Sequence, residues 1–512
     1  MTTTVRETER KYEITDGVEL PGWADLSGVD ALVGPEEQAL EAVYFDTEDL
    51  RLARAGVTLR RRLGGHDAGW HLKLPVRGDS GGDSRDEIRV GDARALRRRT
   101  PPAELVAVVR AFTRGARLAP VAELATARRR WRLADNDGQL LVEVVDDHVS
   151  AHTLGASTSG MSWREVEVEL GGHGDRQLLD QVERRLLDAG VRRSDARSKL
   201  ARVLGDRLPA PERVALPGRK ARIGEVVLAY LRVQADAIVW GDPAVRQDRP
   251  DAVHQMRVAT RRMRSALQAY GRVVERSATR ELANELKWLA GVLGEARDLE
   301  VLHARFTQAV EQLPDELVLG PVQARLTRFF AGREAEARTA LIAALDSDRY
   351  LALLAAIDRL LTDPPLTRHA RHRGRRELPA LVGRAHRRVA EHVKAADLLP
   401  SGDERNEQWH AARKAAKRLR YAAEAAAPAL GKPANRLVGR VKQVQELLGD
   451  HQDAVVARPV LREIGVVAHL EGENGFTYGL LHEQQAEQMH LSETDITQAW
   501  QDLRRSMRDL AG

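Results

Sequence analysis

Over about the first 205 residues, apolar and polar positions alternate with a period of two in short runs separated by turn residues; beyond residue 219 the period lengthens to that of a helix. The alternating runs at 41–46, 57–63, 69–74, 84–90, 127–133, 139–145 and 163–170 predict strands. Helical patterns are expected at 101–112, opened by Pro101-Pro102, and at 174–189, around Arg176-Gln-Leu-Leu-Asp-Gln-Val-Glu-Arg-Arg-Leu-Leu. This mixture predicts an α+β domain with an antiparallel sheet over 1–205. A Pro-rich linker is expected at 206–218, in Leu208-Pro-Ala-Pro-Glu-Arg-Val-Ala-Leu-Pro-Gly. From 219 to 505 the pattern predicts an all-α domain of long helices, interrupted at Gly241-Asp-Pro, Asp363-Pro-Pro, Leu399-Pro-Ser-Gly and Gly431-Lys-Pro.

The helical region is internally duplicated. His254-Gln-Met-Arg257-Val-Ala-Thr-Arg261-Arg262-Met-Arg264 is answered by His410-Ala-Ala-Arg413-Lys414-Ala-Ala-Lys417-Arg418-Leu-Arg420, a constant spacing of 156 residues. Leu293-Gly-Glu-Ala-Arg-Asp298 is answered by Leu448-Gly-Asp-His-Gln-Asp453 at 155. Two pseudo-symmetric bundles follow from this. Positions 254, 257, 261 and 264 fall on one helix face, as do their counterparts, so each half devotes a face to cations.

Composition narrows the chemistry. Lys and Arg total 80 against 75 acids over 512 residues, a net charge of +5, so the distribution of charge matters more than its sum. The chain has no cysteine, which excludes disulfides, thiol catalysis and cysteine-bound metal and leaves carboxylate and imidazole ligands, with hard cations favoured. It has no apolar run of membrane-spanning length and no apolar segment after Met-Thr-Thr-Thr-Val-Arg-Glu, so a cytoplasmic protein is expected.

In the first domain one face of each predicted strand is charged. Glu7, Glu9 and Lys11 alternate, as do Arg60 with Arg62, His71 with Lys73, Arg85 with Glu87, Arg128 with Arg130 and Arg132, Glu143 with Asp147, and Glu165 with Glu167 and Glu169. Any single strand of this kind can simply be solvated on its polar face. If the sheet closes into a barrel beneath helices, the charged face becomes an interior whose acids and bases must pair with each other or with a ligand and metal. Asp146 competes with Asp147 for the inward register, and the Arg128–Arg132 run is settled only if Trp131 points outward.

Glu7-x-Glu9-x-Lys11, Tyr44-Phe-Asp46-Thr, Thr58-Leu-Arg60-Arg-Arg62, Trp70-His-Leu-Lys73-Leu-Pro, Arg85-x-Glu87, Glu143 with Asp146-Asp147, Glu165-x-Glu167-x-Glu169 and Ser198-Lys199 resemble the CYTH domain of the triphosphate tunnel metalloenzyme family. The resemblance implies an eight-stranded antiparallel tunnel that holds a triphosphate and one or two divalent cations. Carried over, Lys11, Arg60, Arg62, Lys73, Arg85, Arg128, Arg130 and Lys199 would grip phosphate oxygens, and Glu7, Glu9, Glu165 and Glu167 would hold Mg²⁺ or Mn²⁺. Glu87, Glu143, Asp147 and Glu169, beside Lys11, are candidates for the catalytic step that positions water. The two His-x-x-Arg motifs and Leu-Gly-x-x-x-Asp resemble the CHAD domain, the conserved-histidine α-helical family. That implies two four-helix bundles around a basic groove for inorganic polyphosphate. Candidate ligands of the chain are His254, Arg257, Arg261, Arg262, Arg264, Lys287, His410, Arg413, Lys414, Lys417, Arg418, Arg420 and Lys442.

Together these imply a metal-dependent inorganic triphosphatase fused to a polyphosphate-binding module, located in the cytoplasm or at polyphosphate granules. The alternatives are a non-catalytic granule-binding protein and a tunnel enzyme acting on thiamine triphosphate or ATP. Nucleic acid is disfavoured because aromatic residues make up only 4% of the chain, too few for base stacking along the basic helices.

Overall fold

A computed structural model of the chain describes residues 2–23, 25–76, 83–91, 97–155, 158–209 and 217–511. It divides into two compact units, Met1–Glu212 and Arg213–Gly512. Residues 210–216 of the expected linker lie outside the described residues.

The first unit is built on nine strands: β1 (Thr2–Ile14), β2 (Ala31–Asp46), β3 (Thr58–Leu63), β4 (Gly69–Pro75), β5 (Ser84–Val90), β6 (Ala119–Ala134), β7 (Leu140–Thr153), β8 (Gly160–Leu170) and the two-residue β9 (Arg192–Arg193). Their order is β5-β4-β3-β2-β6-β7-β8-β1-β9, and β1 also pairs with β5. Thr2–Thr8 of β1 run antiparallel to β5, and Glu9–Ile14 antiparallel to β8, so the first eight strands close into an antiparallel barrel. Closure leaves one face inside. Outward residues of β1 and β6–β8, among them Tyr12, Trp131, Val144, Val166 and Val168, form a core with Leu178, Leu179, Val182 and Leu186 of the helix Arg176–Asp188. A second core packs Leu124, Val149 and Ala151 under Leu200, Val203 and Leu204 of the helix Lys199–Leu204. With the apolar faces turned out under these helices, the charged alternation faces inward.

β2, β6, β7 and β8 are longer than the sequence pattern predicts. Residues 32–37 of β2 are exposed and carry no alternation, and the pairing with β6 shifts register between Val33 and Glu36. The helix expected at 101–112 forms as two short pieces, Ala103–Val108 and Arg110–Thr113.

The second unit is all-helical. Its first half contains α1 (Ile223–Arg246), α2 (Ala252–Ala269), α3 (Arg276–Glu311), α4 (Val322–Asp346) and α5 (Asp348–Thr362). Its second half contains α6 (Gly374–Asp397), α7 (Asp403–Leu430), α8 (Lys432–Leu470) and α9 (Phe476–Ala511). The two motif-bearing helices, α2 and α7, pack on each other. Phe306, Leu326 and Phe330 from the first half share a core with Leu461, Ile464 and Tyr478 from the second. The break expected at Gly241-Asp-Pro does not occur, because α1 continues through Pro243. A Cβ at Gly241 would lie 2.9 Å from that of Met256, so glycine admits the neighbouring helix there. Asp242, buried, holds Arg246 at 2.7 Å. No helix among the described residues is long and apolar enough to cross a membrane.

Candidate functional site

Inward side chains of the barrel surround a cavity of about 310 Å³. Lys11, Arg60, Arg62, Lys73, Arg85, Arg128, Arg130 and Lys199 all line it, with Glu7, Glu9, Glu87, Glu143, Glu167 and Glu169. Trp131 packs outward, which sends Arg128 and Arg130 inward. The competition in β7 is also resolved. Asp147 takes a bidentate pair from Arg128, both bonds 2.7 Å, while Asp146 takes Arg164 at 2.8 and 2.9 Å.

The charges are arranged in two groups. Toward one end Lys199 Nζ stands 3.0 Å from Asp147, 2.6 Å from Glu165 and 2.8 Å from Glu167. Ligand atoms of these three carboxylates lie within 4.8 Å of one another, an acidic cluster whose cation is already a lysine ammonium. Asp147 and Glu165 are buried behind the cavity and do not line it. Toward the other end the β1–β8 register sets Glu169, not Glu165, opposite Glu9. Burial, then the neighbouring Glu7, with Glu9 and Glu143 adding to it, raises the Glu169 carboxyl to about 8. Burial also acts on Glu9, but the ammonium groups of Lys11 and Lys73 outweigh it and hold that carboxyl at about 2. Lys11 Nζ lies 3.2 Å from Glu9, and Lys73 bonds Glu7. Glu87 is held far below the carboxylate range: burial opposes this, but Lys73 and a 2.9 Å bond to His71 prevail.

Sequence reasoning missed Arg89, Asp67, His66, Gln38, Thr58 and Ser198 as cavity residues and gave Tyr44 no role in the site. The spacing that selects Arg85 and Glu87 also selects Arg89, which bonds Glu7 at 2.7 Å. His66 and Asp67 sit in the β3–β4 turn, where no periodicity points inward; Asp67 reaches Arg62 at 2.6 Å.

In the helical unit the duplicated cations separate into different environments. Lys417 is crowded by Arg261, Arg413 and Arg257; burial first, then these guanidiniums, lower its ammonium to about 6. Arg257 pairs with Asp298 at 2.8 Å and Arg413 with Asp453 at 3.3 Å, so each half orients its arginine with the matching aspartate. His410 Nδ1 meets the Gln452 amide oxygen at 2.5 Å, and burial lowers both His254 and His410. Arg262 and Arg420 turn to Glu424. Arg264 and Arg418 face each other elsewhere. Lys287, Lys414 and Lys442 are exposed, and Lys442 pairs with Glu446 at 3.4 Å.

Comparison with known proteins agrees with this architecture. The CYTH domain model matches residues 5–203 and the CHAD domain model residues 229–462. The chain therefore belongs to the proteins that join a CYTH domain to a CHAD domain. Two proteins of Mycobacterium tuberculosis, both described only as uncharacterized, are 38% identical to it over 522 residues, spanning 98% of this chain and 97% of theirs. Among solved structures, PptA from Streptomyces chartreusis is 22% identical over 55% of this chain and 100% of its own, with a TM-score of 0.47. The CHAD domain from the plant Ricinus communis is 23% identical over 59% and 96%, with a TM-score of 0.44.

Proposed function

We propose that the barrel is a divalent-metal-dependent triphosphatase acting on inorganic triphosphate, and that the helical unit binds inorganic polyphosphate. The observation that carries the first half is the cavity lining: among the described residues it holds nine lysines and arginines and seven acids, with no aliphatic side chain and Tyr44 as its one phenol or indole ring. A nucleobase or thiazolium favours an apolar or stacking wall, and among the described residues only the Tyr44 and His66 rings could contribute to one; a bare phosphoanhydride needs only cations and hydrogen-bond donors.

Arg60, Arg62, Lys73, Arg85, Arg128, Arg130 and Lys199 would hold the phosphate oxygens, the arginines by paired bonds and the lysines as point charges. The tighter acidic group, Asp147, Glu165 and Glu167, has ligand atoms within 4.8 Å of one another but surrounds the Lys199 ammonium. Glu7, Glu9 and Glu169 share one part of the cavity and Glu167 borders them, an all-oxygen donor set of the kind a hard cation takes. Bound there, Mg²⁺ or Mn²⁺ supplies charge neutralisation at the phosphoryl group. Glu165, anchored by Lys199 and by Trp163 Nε1 at 2.5 Å, serves as a positioning residue in this scheme rather than a metal ligand. Glu143, partly exposed at the cavity wall and held by Arg130 at 3.1 Å, is the carboxylate placed to orient water. The polyphosphate reading rests on Lys417 and its three arginine neighbours, which lack enough carboxylate to balance them.

The test is phosphate release from triphosphate, ATP, thiamine triphosphate and long polyphosphate, each with Mg²⁺ and with Mn²⁺. Metal-dependent turnover that is fastest on triphosphate is expected. No turnover on any of the four would leave a binding protein, and preference for an organic triphosphate would reassign the substrate.

A further inference from the structure

The two halves of the helical unit differ at one position with electrostatic consequences. In the second half Glu424 follows Arg420 by one turn and accepts its Nε at 2.7 Å. The same carboxylate accepts Arg262 Nε of the first half at 3.1 Å and the Tyr230 hydroxyl at 3.2 Å. One acid thus satisfies two guanidiniums and a phenol. At the spacing of 156 residues, Arg264 corresponds to Arg420, Arg418 to Arg262, and Gln268 to Glu424. An amide stands where the mirrored site has its carboxylate.

The arginines around Gln268 are left without an anion. A cavity of about 220 Å³ opens there between α2, the start of α3, α6 and α7, lined by Gln268, Arg272, Arg276, Arg384, Arg388 and Arg418, and among the described residues no acid contributes to its wall. Among the described residues, neither these five arginines nor Arg264 forms an ion pair. Arg264 Nε is buried without a hydrogen-bond partner. Burial and then Arg418 depress Arg264, burial and then Arg388 depress Arg418, and burial and then Arg272 depress Arg384. Clustered like charges repel, and an anion arriving from outside would relieve that repulsion.

We propose that this cavity is a second anion site, in which an external phosphate group takes the place that Glu424 fills in the other half. The convergence of guanidiniums from three helices suits a group with several oxygens, gripped by paired bonds. Among the described residues no aromatic ring lines the wall, which disfavours a nucleotide, and the small volume, open to solvent at Arg272, Arg276 and Arg388, suits a compact phosphoanhydride, free triphosphate or the end of a longer chain. The site is separate from the Lys417 cluster, because consecutive residues Lys417 and Arg418 diverge by about 100° around the helix.

Arginine footprinting of the full chain with phenylglyoxal, read peptide by peptide, tests this without confusion from the barrel. At triphosphate near ten times its dissociation constant, Arg384, Arg388 and Arg418 should react about tenfold more slowly. Gln268→Glu, which restores the missing carboxylate, should reduce that protection to less than about twofold while raising thermal stability. Arg388→Ala, at an exposed position, should likewise remove protection of Arg384 and Arg418 and leaves Glu424 untouched. Unprotected Arg384 and Arg388 at millimolar triphosphate, or protection unchanged by both substitutions, would overturn the site. A chain of about 50 phosphates separates the two sources: protection that tracks chain ends assigns the terminus, and protection by triphosphate alone assigns the free anion. If that chain protects Arg257 and Arg413 but neither reagent protects Arg384 and Arg388, this site fails and the polyphosphate reading of the Lys417 face stands. The converse result would sink that reading alone.

Discussion

Lys11 faces Glu167 across the β1–β8 pair, its ammonium 2.8 Å from the carboxylate. The tunnel's cations are therefore paired with its own carboxylates, and an incoming phosphate must compete with these for the same cations. A divalent ion bound by those carboxylates frees the cations, so metal and triphosphate should assist each other. Binding of triphosphate to the wild-type chain is expected to strengthen by about tenfold or more, an ordinary coupling of 1–3 kcal/mol, when Mn²⁺ is added. Calorimetric titrations with and without the metal check this, and equal affinities in both would contradict it.

Glu9→Gln should lower triphosphate turnover by at least about a hundredfold, the scale of losing one electrostatic stabiliser of the transition state. Glu9 faces the cavity and supports no apolar core, so circular dichroism of the variant should match the wild type. Near-normal turnover would remove Glu9 from the metal set.

The raised carboxyl of Glu169 sets a pH dependence. Below about pH 8 the metal-free group is protonated, and a cation must displace that proton to bind. Affinity for Mn²⁺ should fall about tenfold for each pH unit below 8 and level off above it. Glu169→Gln should bind the metal more weakly and lose this slope. A flat profile in the wild type would place the metal elsewhere.

Lys417 predicts proton uptake. With its ammonium depressed to about 6, it is mostly neutral at about pH 7.5, and phosphate oxygens beside it favour the charged form. Binding of polyphosphate at that pH should take up close to one proton, seen as a dependence of the calorimetric heat on buffer ionisation enthalpy. Lys417→Arg should bind without that uptake. The sign for stability is the same argument reversed. The folded state binds fewer protons than the unfolded between about pH 6 and the usual lysine value, so stability without ligand should rise with pH across that window.

Replacing Arg257 and Arg261 together, or Arg413 and Lys417 together, should weaken polyphosphate binding to similar extents and reduce its salt slope by roughly one to two units. Triphosphate turnover in the barrel should survive both. Unchanged slopes in both variants would return these residues to a solvated face.

Alternation made most of the tunnel legible, because a side chain's face in a strand is fixed by the parity of its position. Glu7, Glu9, Lys11, Arg85 and Glu87 needed nothing more. Parity does not say how far along the barrel a residue lies; only the register sets Glu169 opposite Glu9 and Glu165 opposite Glu13. Turn residues such as Asp67 carry no parity at all. In the helices, 3.6-residue periodicity identified the basic faces, but which arginine meets an acid from another helix depends on packing. That is why Arg262 and Arg418, alike in sequence, end beside Glu424 and beside other arginines.

The first strand is the one that closes the barrel, through β5 on one side and β8 on the other. On the ribosome it emerges before the other barrel strands and must wait for residues 164–169 before its second edge has a partner. At usual synthesis rates that interval is about 8–30 s, during which a strand dense in Glu, Arg and Lys stays in water. The charges that later serve the tunnel thus also keep the waiting strand soluble and discourage premature pairing with a neighbouring chain.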